Sequence, residues 1–122
     1  MDFALTEEQS AIFDMAYAFG QTHIAPHARD WEAQGTIPKD LWPKLGELGF
    51  AGLYVSEESG GSGLSRLDAT LVFEALSMAC PSVAAFLSIH NMCAKMIDAF
   101  ASDEMKARVL PKAMTMETVL SY

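Results

Sequence analysis

The feature that most constrains the fold is a run of twenty residues, 75–94, that contains no Asp, Glu, Lys or Arg. Such a run is long enough to cross a bilayer as one helix, but Pro81 interrupts it and several polar side chains are spread along it. A proline inside a helix removes a hydrogen bond and clashes with the preceding turn. The run therefore predicts two buried helices that meet near Cys80 and Pro81, and it argues against a membrane span.

Three helix-start signals precede this run. Thr6 is followed three residues later by Gln9, and Ser65 is followed three residues later by Asp68, as in two capping boxes. Asp40 is also predicted to cap a helix, because an apolar helical pattern begins directly after it. These signals predict that helices start just after residues 6, 40 and 65.

Prolines and charges mark the remaining helices. Pro26 is predicted to kink the first helix or to start a new short helix that runs to Trp31. A further helix is predicted over residues 82–100, and the last one begins at Ser102 with acidic residues early and basic residues late. Pro111 is predicted to end or bend that last helix.

The predicted fold is all-α, a bundle of about five helices, with the start of a β-strand at the C-terminal end. Residues 1–117 form the predicted helical domain. Residues 118–122 are β-branched and apolar at alternate places, which is typical of the opening of a strand. We expect them to be the truncated first strand of a missing β-domain, and we therefore expect the protein to continue beyond this chain.

Charge and cysteine content limit the possible partners. The chain has 16 Asp and Glu against 8 Lys and Arg, a formal net charge of −8, which disfavours binding to nucleic acid or to an anionic membrane. Cys80 and Cys93 do not have the spacing of a redox or zinc motif, so we expect both to be buried and reduced. The first residues lack the basic and apolar regions of a signal or transit peptide, which predicts a cytoplasmic location.

Two groups of residues suggest a ligand site, although the sequence favours another interpretation of each. The glycine-rich loop 60–63 lacks the Gly-Lys-Ser/Thr ending of a phosphate-binding loop and follows two glutamates, so a conformational role is favoured. His23 and His27 have the spacing of helical metal ligands. However, Pro26 lies between them and no cluster of further ligands completes a site, so we predict no metal.

His90 and Asn91 are the most polar point of the helix predicted over residues 82–100. They are interpreted either as a hydrogen-bonded polar pair in the core, which is the favoured interpretation, or as the border of a ligand pocket. No set of nucleophile, base and acid is visible in the sequence. From the residues alone, the chain has no complete active site and could serve as a free-standing helical protein-interaction module without catalytic activity.

The order of several segments nevertheless resembles one protein family along almost the whole chain. The segments are LTEEQ at 5–9, IAPHA at 24–28, IP at 37–38, LWPKLGELG at 41–49 and GLYVSEESGGSGL at 52–64. In this order they resemble the N-terminal domain of the acyl-CoA dehydrogenases. The segments SIHNMCA at 88–94 and MID at 96–98 are most similar to the isobutyryl-CoA, or short branched-chain, branch of that family.

The resemblance implies a flavoenzyme for the full-length protein. Such an enzyme holds FAD and removes the α-proton of an acyl-CoA with a glutamate base. The β-hydrogen leaves as hydride to the flavin, and an electron-transfer flavoprotein accepts the electrons. The family is typically tetrameric. The glutamate belongs to a later domain, so we expect this chain alone to be inactive and not to hold FAD.

The resemblance also implies site residues in this chain. The helix over residues 82–100 would face the acyl group, with Ala84, Ala85, Ser88 and Met92 near the substrate. The small residues followed by a methionine suit a short or branched acyl group. Tyr122 corresponds to the first residue of the family's flavin-binding segment and is the one cofactor-binding residue predicted here. No catalytic residue is predicted in this chain.

Overall fold

The computed structural model describes residues 2–122, and all regular secondary structure in that range is helical. The six α-helices are α1 (Glu7–His23), α2 (Ala28–Gln34), α3 (Leu41–Glu47), α4 (Arg66–Ser77), α5 (Pro81–Phe100) and α6 (Asp103–Met114). Two single turns of 3-10 helix, Phe50–Gly52 and Glu57–Ser59, lie between α3 and α4. The predicted helical core is confirmed, with one helix more than expected because the residues after Pro26 form a helix of their own.

The predicted strand at the C-terminal end is wrong, since residues 118–122 adopt no regular secondary structure. A strand needs the backbone groups of a neighbouring strand, and residues 2–122 contain none. The backbone amides of this segment bond elsewhere. Thr118 N–H donates to the Lys112 carbonyl at 3.0 Å, and Leu120 N–H donates to the Nδ1 atom of His90 at 3.1 Å. The proposed domain boundary after residue 117 stays a prediction.

The two predicted capping boxes are confirmed. The Thr6 hydroxyl accepts from the Gln9 amide at 3.1 Å, and the Gln9 side chain accepts from the Thr6 amide at the same distance. Ser65 and Asp68 repeat this arrangement at the start of α4. The predicted cap at Asp40 is wrong, because Asp40 already has helical dihedral angles (φ −72°, ψ −11°) and its side chain makes no capping hydrogen bond. A capping residue normally has extended dihedral angles that direct its oxygen at the amides of the first turn.

Pro26 and Pro111 affect the nearby helices differently. Before Pro26, α1 ends at His23, and the amides of Ile24 and Ala25 both donate to the Gly20 carbonyl. Pro111, by contrast, does not end α6, which continues to Met114. The buried side chains of Leu110 and Ala113 lie on either side of Pro111 and hold α6 against the core, so tertiary packing offsets the missing hydrogen bond.

The core is built around α5. Helix α4 packs between α1 and α5, and α5 also contacts α6 and the 3-10 turn Phe50–Gly52. The uncharged run supplies much of this interior, since Ala75, Leu76, Val83, Leu87 and Ala94 are all completely buried. This confirms the predicted pair of buried helices. No helix in the described part of the chain is long and apolar enough to cross a membrane.

Candidate functional site

The outer side of α5 carries a strip of small and flexible side chains that the core leaves partly open. Ala85, Ser88, Met92 and Met96 follow one another at helical spacing and so lie on one face, which we call the α5 strip. Ala85 and Met96 are exposed, and Ser88 and Met92 are half-buried. The Ser88 hydroxyl donates to the Ala85 carbonyl at 2.8 Å, so its hydrogen-bonding capacity is directed into the helix. The strip therefore offers a mostly apolar surface.

The predicted site residues do not all share this surface. Three of the four predicted substrate contacts belong to the α5 strip, whereas Ala84 points to the other side and is 5 % exposed within the core. Tyr122 is 84 % exposed at the end of the C-terminal segment, which has no regular secondary structure. The structure thus brings Ala85, Ser88 and Met92 onto one face, and the roles of all five predicted site residues stay predictions.

The α5 strip is an open face and not a closed pocket. Two surface clefts of about 510 and 930 Å³ are present, one beside Lys95 and Asp98 and the other beside Trp42 and Phe86. None of the predicted substrate contacts lines either cleft. The strip can therefore supply one wall of a binding site, and a complete pocket needs further walls.

Asn91, on the inner side of α5, links three separate backbone groups. Its Oδ1 atom accepts from the Leu53 amide at 2.7 Å. Its Nδ2 atom donates to the carbonyls of Phe50 and Leu87 at 2.8 and 3.0 Å. The side chain is completely buried and its donors and acceptor are all used, so Asn91 ties the 3-10 turn Phe50–Gly52 to α5.

His90 is equally buried and bridges two other backbone groups. Its Nε2 atom lies 3.0 Å from the Ala113 carbonyl oxygen, and its Nδ1 atom lies 3.1 Å from the Leu120 amide nitrogen. Burial lowers the pKa of the imidazole, while the Ala113 carbonyl acts in the opposite direction. The interpretation of His90 and Asn91 as a hydrogen-bonded polar pair in the core is confirmed.

Sequence reasoning missed Asp98, a buried carboxylate near the end of α5. It accepts hydrogen bonds from the Ser59 hydroxyl at 2.6 Å and from both the hydroxyl and the amide of Ser56 at 3.0 and 3.1 Å, and Lys95 lies 3.4 Å away. The only signal in the sequence is a single acid in an apolar helix together with a serine-rich loop far from it. Asp98 fastens the loop after the 3-10 turn Phe50–Gly52 to α5.

Asp98→Asn is expected to reduce the loss of folding stability that occurs when the pH is lowered. The hydrogen bond from Ser59, helped by those from Ser56 and opposed by burial, holds the pKa of Asp98 well below its usual value. A depressed pKa in the folded state adds stability above the unfolded-state pKa of about 3.9, and this stability is lost as the pH falls through the folded-state pKa. Urea unfolding between about pH 6 and pH 2 should show a smaller loss for the variant.

The exposed Asp14 on α1 provides the control, because Asp14→Asn makes the same change in charge without removing a recorded hydrogen bond. The wild type and Asp14→Asn should lose stability in parallel below about pH 4. If Asp98→Asn follows the same curve as both, Asp98 does not hold the loop through its ionised form.

The glycine-rich loop has the predicted conformational role. Gly60 and Gly63 have φ values of 88° and 63°, which favour glycine. The loop also directs its amides inward, since Ser62 N–H donates to the Gly52 carbonyl at 2.8 Å and Gly63 N–H donates to the Val55 carbonyl at 2.9 Å. These amides are thus already used within the fold.

His23 and His27 make aromatic packing contacts, and the two cysteines are buried. The His23 ring lies 4.7 Å from the Phe19 ring, and the His27 ring lies 5.6 Å from the Trp31 ring, between centroids. Over residues 2–122, no group of three or more His, Cys, Asp or Glu side chains is arranged to hold a metal ion. Both cysteines are buried, as expected for free cysteines, and form no disulfide.

Comparison with known proteins places the chain in a family. The family described as "Acyl-CoA dehydrogenase, N-terminal domain" matches residues 6–117. The mitochondrial isobutyryl-CoA dehydrogenase of Dictyostelium discoideum is 46 % identical over 118 residues, which cover 97 % of this chain and 28 % of that protein.

Solved structures give the same result. Butyryl-CoA dehydrogenase from Megasphaera elsdenii is 31 % identical with a TM-score of 0.86, and the match covers 98 % of this chain and 32 % of that one. The FAD complex of PigA is 32 % identical with a TM-score of 0.89 over the same shares of the two chains. The present chain therefore spans about a third or less of the length of these relatives.

Proposed function

This chain belongs to the acyl-CoA dehydrogenase family, whose N-terminal domain it comprises, and on that basis we propose that the whole protein oxidises a short or branched acyl-CoA between its α and β carbons. Within that enzyme, the present domain forms one wall of the acyl pocket. The observation that carries this proposal is the α5 strip, a mostly apolar and partly open face on the helix whose other side is buried in the core.

The chemistry of the α5 strip suits a short acyl chain. Ala85 and Ser88 are small, and the Ser88 hydroxyl is already bonded to its own helix, so an apolar ligand can approach without leaving a polar group unpaired. Met92 is flexible and can adapt to a branch in the acyl group. Each methylene of the ligand that such a wall removes from water contributes about 0.8 kcal/mol.

The same wall positions the acyl group and excludes water, but it supplies no acid or base. The charged side chains of α5 are Lys95 and Asp98, and the Asp98 carboxylate is occupied by Ser56 and Ser59. On the family resemblance, the base that removes the α-proton is proposed to be a glutamate outside these 122 residues. The chain alone is accordingly expected to be inactive, and it serves as the negative control in assays of the whole enzyme.

FAD is the proposed cofactor of the whole enzyme and, when bound, would accept the β-hydrogen as hydride. The ring of Tyr122 is exposed, and one exposed side chain is too little to enclose a dinucleotide. The chain is thus proposed to contribute one contact to FAD and not the binding site itself. An electron-transfer flavoprotein as electron acceptor and a tetrameric assembly are proposed on the family resemblance.

Ala85→Phe in the whole enzyme is expected to shift substrate preference toward shorter acyl chains. The large ring would occupy space beside the acyl group, so kcat/KM for a longer acyl-CoA should fall about tenfold or more relative to a shorter one. Steady-state kinetics with a series of straight-chain acyl-CoA thioesters measures this ratio.

Ala99→Phe is the matched control. It makes the same exchange at an exposed position of the same helix, about 21 Å farther along the axis. We expect this variant to keep the wild-type preference. An unchanged preference in Ala85→Phe, or an equal shift in both variants, would count against the α5 strip as the acyl wall.

A further inference from the structure

The C-terminal segment 118–122 is held to the helices at two points. Thr118 N–H donates to the Lys112 carbonyl near the end of α6. Two residues later, Leu120 N–H donates to the imidazole of His90 on α5. Ser121 and Tyr122 follow this second point directly and are exposed. The bond to His90 is thus the last recorded attachment before Tyr122.

The two partners of His90 determine which of its nitrogens carries the proton. The Leu120 amide can only donate, so Nδ1 must be unprotonated, and the Ala113 carbonyl can only accept, so Nε2 must carry the hydrogen. The ring is completely buried, and both nitrogens are used. The imidazole therefore connects the end of α6 to the segment after it, with a defined direction of donation at each nitrogen.

We infer that His90 is a positioning residue, which holds the Leu120 amide through Nδ1 and thereby sets where the chain runs toward Tyr122. His90 lies on the inner side of the helix whose outer side carries the α5 strip, two residues from Met92. One helix thus orients both the proposed acyl wall and the segment that leads to the proposed flavin contact. The functional consequence at Tyr122 rests on the proposed function, whereas the attachment itself does not.

Two substitutions of His90 test the hydrogen bonds of Nδ1 and Nε2 separately. In His90→Asn, the side-chain oxygen can take the place of Nδ1 and accept from Leu120, but nothing reaches Ala113. In His90→Gln, the longer amide can take the place of Nε2 and donate to Ala113, but nothing accepts from Leu120. Both variants lose one hydrogen bond in the same buried position, so each serves as the control for the other.

The test is hydrogen exchange of the Leu120 amide, followed by NMR in the 122-residue chain. The exchange rate should rise about tenfold or more in His90→Gln and clearly less in His90→Asn, relative to amides within α5. The imidazole nitrogen shifts of the wild type should show an unprotonated Nδ1 and a protonated Nε2. Equal exchange in the two variants, or a protonated Nδ1 in the wild type, would overturn the inference.

The flavin consequence is measured separately, as the FAD content of the same two variants of the whole enzyme. His90→Gln should release more FAD than His90→Asn does. If only the exchange rates differ and FAD content does not, His90 still positions the segment, and it is the proposed contact between Tyr122 and flavin that fails.

Discussion

Replacing Asn91 with leucine is expected to lower the free energy of unfolding of this chain by about 3–5 kcal/mol. Leucine has a similar shape, so little volume is lost. However, the Leu53 amide would lose its acceptor and the Phe50 carbonyl would lose its donor. Both residues are about 1 % exposed, so water does not readily replace either partner. Urea denaturation followed by circular dichroism measures the difference.

Ser88→Ala on the same helix is the matched control for Asn91→Leu. It also removes a hydrogen-bonding side chain from α5, but its hydroxyl is bonded within the helix to Ala85 and is half-buried. The expected cost is at most about 0.5 kcal/mol. A loss below about 1 kcal/mol for Asn91→Leu would mean that the 3-10 turn Phe50–Gly52 finds other partners.

Replacing Gly46 with alanine is expected to destabilise the chain by about 3 kcal/mol, although alanine is the better helix former by about 1 kcal/mol. A Cβ atom at Gly46 would lie 2.6 Å from the carbonyl oxygen of Thr115 and 2.8 Å from its carbonyl carbon. This backbone cannot move aside easily, because Ala113 and Met116 on either side of Thr115 are buried. The midpoint of urea denaturation should therefore fall.

Gly35→Ala is the control, because it replaces a glycine with alanine without the steric clash that is expected at Gly46. Gly35 has a φ of +69°, which disfavours alanine, but no atom lies within 4 Å of a Cβ built there. Its expected cost is only about 1 kcal/mol, from the left-handed backbone alone. A denaturation midpoint for Gly46→Ala at or above that of the wild type would show that α3 and the end of α6 are not in close contact.

The positions of helix starts could be predicted when the signal was local. Thr6 and Ser65 each find their capping partner three residues later, so the sequence alone contains the whole interaction. Asp40 is a case in which this prediction of a helix cap fails. Its residue type is that of a cap, but Asp40 lies in a turn closed by the hydrogen bond from the Leu41 amide to the Pro38 carbonyl and has helical dihedral angles, so its side chain is not in the capping position.

The candidate site was predicted in part for the same reason. Ala85, Ser88 and Met92 share a face because they share one helix, and the spacing in the sequence is enough to show it. The partners on the inner face could not be predicted. Asn91 bonds to residues 38 and 41 positions away, and the hydroxyls that hold Asp98 are 39 and 42 positions away. No local pattern specifies such pairs.

The sequence by itself determined the helical class, most helix limits and the family, because periodicity, capping residues and ordered motifs are properties of neighbouring residues. Only the tertiary structure decided that residues 118–122 bond to Lys112 and His90 and form no strand. A strand and an isolated extended segment can have the same local pattern. They differ in which backbone groups lie beside them, and that depends on how distant parts of the chain pack together.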